Sequence, residues 1–123
     1  MRSKIGWVLS VLPSLLLLFS GFNKIMATEE VLAGLTHFGI DPAHIKGLGV
    51  LEIMITLLYL IPRTSFIGAI LLTGWMGGAI FTHVRVGDPY IMQVAVAFLI
   101  WIGFGLRHYA EVLPLLGLRK PTR

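Results

Sequence analysis

Four long apolar stretches, separated by short polar connections, dominate this chain. Each is close to the roughly 20 residues that a helix needs to cross the hydrocarbon core of a bilayer. Charged residues make up 13% of the 123 positions, whereas soluble domains carry about a quarter. A water-soluble globule of this size could not cover its surface with so few charges. The sequence therefore predicts an all-α integral membrane protein whose single domain spans residues 1–123, without room for a soluble catalytic domain.

The boundaries of the spans follow from helix start and stop signals. Thr28 followed by two acids is typical of a helix start, and Gly39 ends the apolar periodicity that comes after it. This segment is predicted to be a short amphipathic helix on the membrane surface. Asp41-Pro42 and Asp88-Pro89 each resemble a cap followed by a first-turn proline. The spans are predicted at about residues 5–26, 42–61, 65–82 and 90–106, packed as a four-helix bundle.

The distribution of Lys and Arg predicts the orientation of the spans. Three basic residues, Lys24, Lys46 and Arg85, fall on one side, and seven fall on the other: Arg2, Lys4, Arg63, Arg107, Arg119, Lys120 and Arg123. The positive-inside rule then places both termini in the cytoplasm. The net charge of +4 is scattered over span ends, a pattern that indicates orientation and lipid contact rather than nucleic-acid binding. The chain has no cysteine, which excludes disulfides and thiolate metal sites within it.

Polar residues from all four spans fall at one level near the predicted outer face. They are Lys24, Glu52, His83, Arg85, Asp88 and Gln93, with His83 to Asp88 expected in a short loop after span three. Glu52 is the most informative, because a carboxylate within the hydrocarbon region costs about 3 kcal/mol and needs a partner, a cavity or a proton. Gly49, Glu52 and Thr56 recur at helical spacing, which predicts that this stripe faces the interior of the bundle.

Two interpretations of this outer polar cluster remain open from the residues alone. In the first, Glu52 lines an outward-opening pocket with His83 and a cation, and binds a polar headgroup or carries a proton. In the second, Glu52 forms a buried ion pair that only holds the helices together. The candidate partners of Glu52 are Lys24, His83 and Arg85. His37, His44 and His108 lack acids at ligand spacing, so no metal site is predicted.

Span three contains a small-xxx-small pattern at Gly74 and Gly78. Such residues allow two helix backbones to approach closely in a membrane. Packing within one chain is the preferred interpretation, and dimerisation through the same face is the alternative.

Three segments of the chain resemble the DoxX-like family of small bacterial membrane proteins. They are Ser20-Gly21-Phe22-Asn23-Lys24, Gly47-Leu48-Gly49-Val50-Leu51-Glu52, and the run from Leu71 to Asp88 that contains Gly77-Gly78-Ala79 and Thr82-His83-Val84-Arg85-Val86-Gly87-Asp88. The resemblance implies a four-helix fold in the bacterial inner membrane. Its founding relatives are described as the membrane subunit of a thiosulfate-to-quinone oxidoreductase, and mycobacterial relatives are linked to oxidative-stress complexes. A similar four-helix protein of the animal endoplasmic reticulum assists assembly of acetylcholine receptors.

Two functions follow as hypotheses. The first is a non-enzymatic protein that assists a membrane partner or binds a small amphiphile, since the chain has no recognisable nucleophile constellation. The second is a subunit of a quinone-linked oxidoreductase or oxidative-stress complex, in which Glu52 and His83 exchange protons with a bound quinone. The expected ligands are accordingly a lipid or a quinone, and the expected partners are membrane lipids, another membrane protein or a second copy of the chain. A transporter is less favoured, because four short spans without inverted repeats offer little material for alternating access.

Overall fold

The computed structural model describes residues 1–118, and this part of the chain is helical without any strand. Short 3₁₀ turns at Pro42–His44 and Pro62–Thr64 lead into the third and fourth helices. The helices are α1 (Arg2–Met26), α2 (Glu29–Phe38), α3 (Ile45–Leu60), α4 (Ser65–Arg85), α5 (Ile91–Arg107) and α6 (Tyr109–Leu115). The all-helical prediction is therefore confirmed for the described residues. The basic residues Arg119, Lys120 and Arg123 lie outside them.

The four longest helices contact one another in a closed ring. Helix α1 packs against α3 and α5, and α4 packs against the same two helices. Gly21 and Gly49 allow the closest part of the α1–α3 contact, since a Cβ at Gly49 would come within 2.6 Å of the Gly21 carbonyl oxygen. Small residues are what membrane helices use where their backbones touch. Helix α2 lies apart from this ring and reaches it through side chains such as the buried Leu35.

The core and the outer surface of the ring are both apolar. Its buried core consists of Leu17, Ile55, Tyr59, Ala69, Leu72, Met76, Val96, Ile100 and Phe104. Large apolar side chains also cover the outer faces, including Leu15 and Leu16 on α1 and Phe98 on α5, which are more than half exposed. Exposed apolar surface on this scale is typical of a protein that contacts lipid.

Three helical segments are long and apolar enough to cross a membrane: Arg2–Met26, Pro42–Leu60 and Pro62–Arg85. Ile91–Arg107 has 17 residues and turns by 111° into Tyr109–Leu115, and this bent pair counts as a fourth candidate if it forms one span. Both numbers refer to residues 1–118 and rest on length and composition.

The connections differ in three places from what the sequence predicts. Helix α4 continues to Arg85, so His83 and Arg85 lie on its last turn and not in a loop. Asp88 does not cap α5, because that helix begins at Ile91, with Tyr90 preceding it. The segment after the last predicted span contains a further helix, α6, from Tyr109. The cap of α2 is confirmed, since Thr28 Oγ1 accepts a hydrogen bond from the Val31 amide at 3.3 Å.

Polar groups gather at two opposite ends of the ring. We call the end at which α1 and α4 finish the Lys24 end, and the end at which α3 and α5 finish the Arg107 end. At the Arg107 end the Arg107 guanidinium donates to the Ser65 hydroxyl at 2.8 Å and to the Tyr59 carbonyl at 3.2 Å. Ser65 also donates to that carbonyl at 2.8 Å. These bonds satisfy a carbonyl at the end of α3 that has no partner within its own helix.

Candidate functional site at the Lys24 end

A buried ion pair joins α1 to α3 at the Lys24 end. Lys24 Nζ donates to Glu52 Oε2 at 2.8 Å and to Ser20 Oγ at 2.6 Å, and the Ser20 hydroxyl lies 3.3 Å from the same carboxylate oxygen. The Glu52 side chain is only 2% exposed, whereas that of Lys24 is 19% exposed. Glu52 is therefore enclosed by protein, and Lys24 is the member of the pair with access to the surroundings.

Helix spacing and the close α1–α3 approach create this pair. Ser20 and Lys24 are four residues apart, so they lie on the same face of α1. Glu52 lies one turn beyond Gly49, at which the two backbones come close. The partner expected for Glu52 is thus found in Lys24. No hydrogen bond joins Glu52 to His83 or Arg85 in residues 1–118.

His83 connects three helices through contacts of its own. Its Nδ1 lies 2.7 Å from the Ala79 carbonyl oxygen one turn earlier, so this nitrogen must carry a proton, because a carbonyl only accepts. Its Nε2 lies 3.4 Å from the side-chain amide nitrogen of Gln93 on α5, which can donate to it. The ring also packs against Phe38 of α2, with centroids 4.6 Å apart. Both ring nitrogens of His83 are thus in contact with groups of the protein.

Arg85 and Asp88 hold the end of α2. The Arg85 guanidinium donates to the Phe38 carbonyl, and Asp88 Oδ2 lies 2.8 Å from His37 Nε2. No local pattern singles out His37, because its partner lies 51 residues away in the chain. Arg85 and Asp88 therefore act on α2 rather than on Glu52.

An open cleft of about 460 Å³ lies between α2 and α4, and we call it the α2–α4 cleft. Most of its walls are apolar, and its polar groups come from Lys24, Thr82 and His83. It is lined by Lys24, Val31, Gly34, Leu35, Phe38, Ile40, Leu48, Gly74, Trp75, Gly78, Ala79, Thr82 and His83. The site combines an apolar body with a polar part, which is the composition that small-molecule pockets usually have.

Gly74 and Gly78 contribute space to this cleft. A Cβ at either position would meet no atom of residues 1–118 within 4 Å, so neither glycine is at a close helix contact in this part of the chain. This differs from the packing role that the small-xxx-small pattern favours. The close contacts use other glycines, such as Gly21 and Gly49, because the face of α4 that carries Gly74 and Gly78 is turned toward the α2–α4 cleft.

The six polar residues expected at one site thus separate into three groups. Lys24 and His83 line the cleft, Glu52 and Gln93 lie behind them as their hydrogen-bond partners, and Arg85 and Asp88 hold α2. Among residues 1–118, no three His, Asp or Glu side chains come close enough together to hold a metal ion.

Comparison with known proteins identifies a family. Residues 8–104 match the model of the DoxX-like family, which covers most of the chain. No curated protein and no solved structure matches the chain significantly. The family and the three or four apolar helices together indicate a multi-pass membrane protein.

Proposed function

We propose that this chain, which belongs to the DoxX-like family, is a membrane protein that binds a small amphiphile in the α2–α4 cleft and has no catalytic activity of its own. The observation that carries the proposal is the cleft itself: apolar walls of α2 and α4 next to polar groups of Lys24, Thr82 and His83. An amphiphile matches both parts, since its apolar body would replace lipid against the walls and its head would meet the polar groups.

The dimensions of the cleft favour a small ligand. Its volume of about 460 Å³ falls within the range of roughly 300–1,000 Å³ found for small-molecule sites. Trp75 and Phe38 supply flat apolar surface, and the missing side chains at Gly74 and Gly78 keep the α4 wall open. The helix backbone persists through these glycines, so the space does not depend on an irregular loop.

The placement in the membrane is part of the proposal. We infer four spans in the bacterial inner membrane, with α5 as the fourth, both termini in the cytoplasm and α2 at the outer interface. The charges support this orientation, since Arg2, Lys4 and Arg63 lie toward the Arg107 end while Lys46 and Arg85 lie toward the Lys24 end. The cleft would then open near the outer surface of the membrane.

Native mass spectrometry of the protein in lipid nanodiscs tests this function. Gly78→Leu places a side chain in the cleft, and Gly77→Leu is the matched control, because a Cβ there is equally free of neighbours but Gly77 does not line the cleft. We expect the wild type and Gly77→Leu to retain a small molecule and Gly78→Leu to lose most of it. Equal retention by all three proteins, or no retained molecule in the wild type, would contradict the proposal.

The mass of the retained molecule separates the ligand classes. A lipid or another non-redox amphiphile would support a binding or assembly role. A quinone would instead favour a subunit of a quinone-linked oxidoreductase, and a companion subunit in the same spectrum would identify its partner. A second copy of the chain would indicate a homodimer.

A further inference from the structure

We propose that the α2–α4 cleft selects amphiphiles whose polar head carries no net charge, because Glu52 already neutralises Lys24, which lines the cleft. This inference rests on the proposed function and specifies its ligand class: an uncharged head with a hydroxyl or carbonyl oxygen, attached to an apolar body. Only the charge of the headgroup decides this selectivity, so the selectivity can be tested separately from the existence of a ligand.

The ion pair leaves Lys24 able to donate but not to attract an anion. An ammonium group has three hydrogens, and two of them are directed at Ser20 Oγ and Glu52 Oε2. The third has no acceptor in the part of the chain that the structure describes, and Lys24 lines the cleft. A hydroxyl or carbonyl oxygen of a ligand can accept this hydrogen without adding charge.

Thr82 adds a polar group without charge. Its Oγ1 donates to the Gly78 carbonyl at 2.7 Å, which leaves its lone pairs to accept from a ligand hydroxyl. Both ring nitrogens of His83 already face partners within the protein, Ala79 and Gln93. An uncharged hydroxyl, which both donates and accepts, complements Lys24 and Thr82 together.

Two further charged groups close to the cleft, Arg85 and Asp88, offset each other. Arg85 is directed at the Phe38 carbonyl, and Asp88 is paired with His37. None of Arg85, Asp88 and His37 lines the cleft. Arg85 and Asp88 carry opposite charges at this end of α2, so together they favour neither an anionic nor a cationic headgroup.

A charged head of either sign would bind less favourably than an uncharged one. An anionic head would lose its hydration in the apolar cleft and would lie close to the buried Glu52 carboxylate, with which it would compete for Lys24. A cationic head would lose its hydration in the same apolar cleft and would not reach the Glu52 carboxylate, which is enclosed and paired with Lys24. An uncharged head avoids both costs, so the pair acts as a filter on headgroup charge.

Two probes of equal chain length, decanol and decanesulfonate, test this filter. Their Kd values would be measured at pH 8 by displacement of a fluorescent apolar probe, in nanodiscs of one zwitterionic lipid. Glu52→Gln keeps the size of the side chain and removes its charge. The double variant Lys24→Gln with Glu52→Gln restores neutrality and is the matched control. Partitioning into lipid changes the ratio of the two Kd values by the same factor in every variant, so it cancels when the ratios of two variants are compared.

We expect the wild type and the double variant to favour decanol, and Glu52→Gln to shift the ratio toward decanesulfonate by about tenfold, the scale of a hydrogen bond to a charged group. An unchanged ratio in Glu52→Gln, or a wild type that favours decanesulfonate, would overturn the inference while leaving the ligand site in place. If decanol and decanesulfonate bind Gly78→Leu as tightly as they bind the wild type, both the site and the filter are overturned. If Glu52→Gln does not fold, Lys24→Gln serves instead, and it should disfavour decanesulfonate further.

Discussion

The two ends of the helix ring hold similar kinds of polar residues but use them differently. At the Arg107 end the Tyr59 hydroxyl donates to the Ile100 carbonyl at 2.5 Å and lies 3.0 Å from Ser10 Oγ, and both side chains are buried completely. These bonds connect α1, α3 and α5 where α1 and α5 lie close together, since a Cβ at Gly103 would come within 2.5 Å of Ser10 Oγ. At the Lys24 end the ion pair connects only α1 and α3, and α4 borders an open cleft that α2 covers.

The difference indicates which end is built for stability and which can accept a ligand. Hydroxyl groups bonded to backbone carbonyls add cross-links at little cost in volume, so the helices stay close. An apolar cleft next to a charge is not needed to hold helices together, and it keeps the facing parts of α2 and α4 from packing directly against each other. Such a separation is understandable if a ligand binds between the two helices.

The largest effect is expected from a side chain at Gly68. This glycine of α4 packs directly against the backbone of Tyr59, which cannot move aside as a flexible side chain could. Gly68→Val should therefore destabilise the fold by about 3 kcal/mol or more, whereas Gly74→Val at the cleft should be tolerated. Unfolding monitored by Trp fluorescence in mild detergent checks this. Equal losses at the two positions would remove the contrast between a closed and an open face of α4.

The second effect concerns the ion pair. Glu52→Ala leaves the Lys24 ammonium without its carboxylate, and we expect a loss of about 3 kcal/mol, as for other broken buried pairs. Lys24→Ala combined with Glu52→Ala should cost clearly less than the sum of the two single changes. A double-mutant cycle from unfolding curves measures this coupling. Strict additivity would show that the pair contributes no energy of its own.

A smaller effect is expected at the Arg107 end from Tyr59→Phe. The change removes a hydroxyl that bonds to Ile100 and Ser10 while keeping the ring in the core. The loss should be about 1–2 kcal/mol, because the carbonyl and the serine are left buried with fewer partners. Ligand binding at the Lys24 end should remain unchanged. A weaker ligand in Tyr59→Phe would show that the two ends are coupled.

The smallest change in stability should come from the contact that holds α2. His37 and Asp88 are both partly exposed, so Asp88→Asn should cost less than about 1 kcal/mol. Its effect should instead be local: faster hydrogen exchange at the amides of α2, with α1 and α3 unchanged. Exchange that stays the same in α2 would mean that Leu35 and Phe38 hold this helix without help.

The sequence predicts the helices better than it predicts their lateral arrangement. The cap at Thr28 could be expected from local chemistry, and depth along the spans placed Lys24 among three candidate partners of Glu52. The rotation of α3 could also be predicted from its polar stripe, since Gly49, Glu52 and Thr56 are buried. The rotation of α4 could not, because its lipid-facing and core-facing positions are both apolar. For that reason Gly74 and Gly78 were expected at a contact and lie at a cleft.

Contacts between distant segments are the other feature that could not be predicted from the sequence. His37 meets Asp88 only because α4 continues one turn further than its apolar stretch and brings the following residues beside α2. The Arg107 network likewise depends on where α5 and α3 end relative to each other. No periodicity within one segment carries that information.

Photolabelling is the most direct test of the claim that the α2–α4 cleft is a ligand site. A decanol analogue with an aliphatic diazirine would be activated in nanodiscs, and the labelled residues would be identified by peptide mass spectrometry. We predict labelling of Leu35, Trp75 and other cleft residues that excess decanol suppresses, together with weak background labelling of lipid-facing residues such as Leu15. Labelling spread evenly over the outer faces, unaffected by excess decanol, would contradict the account.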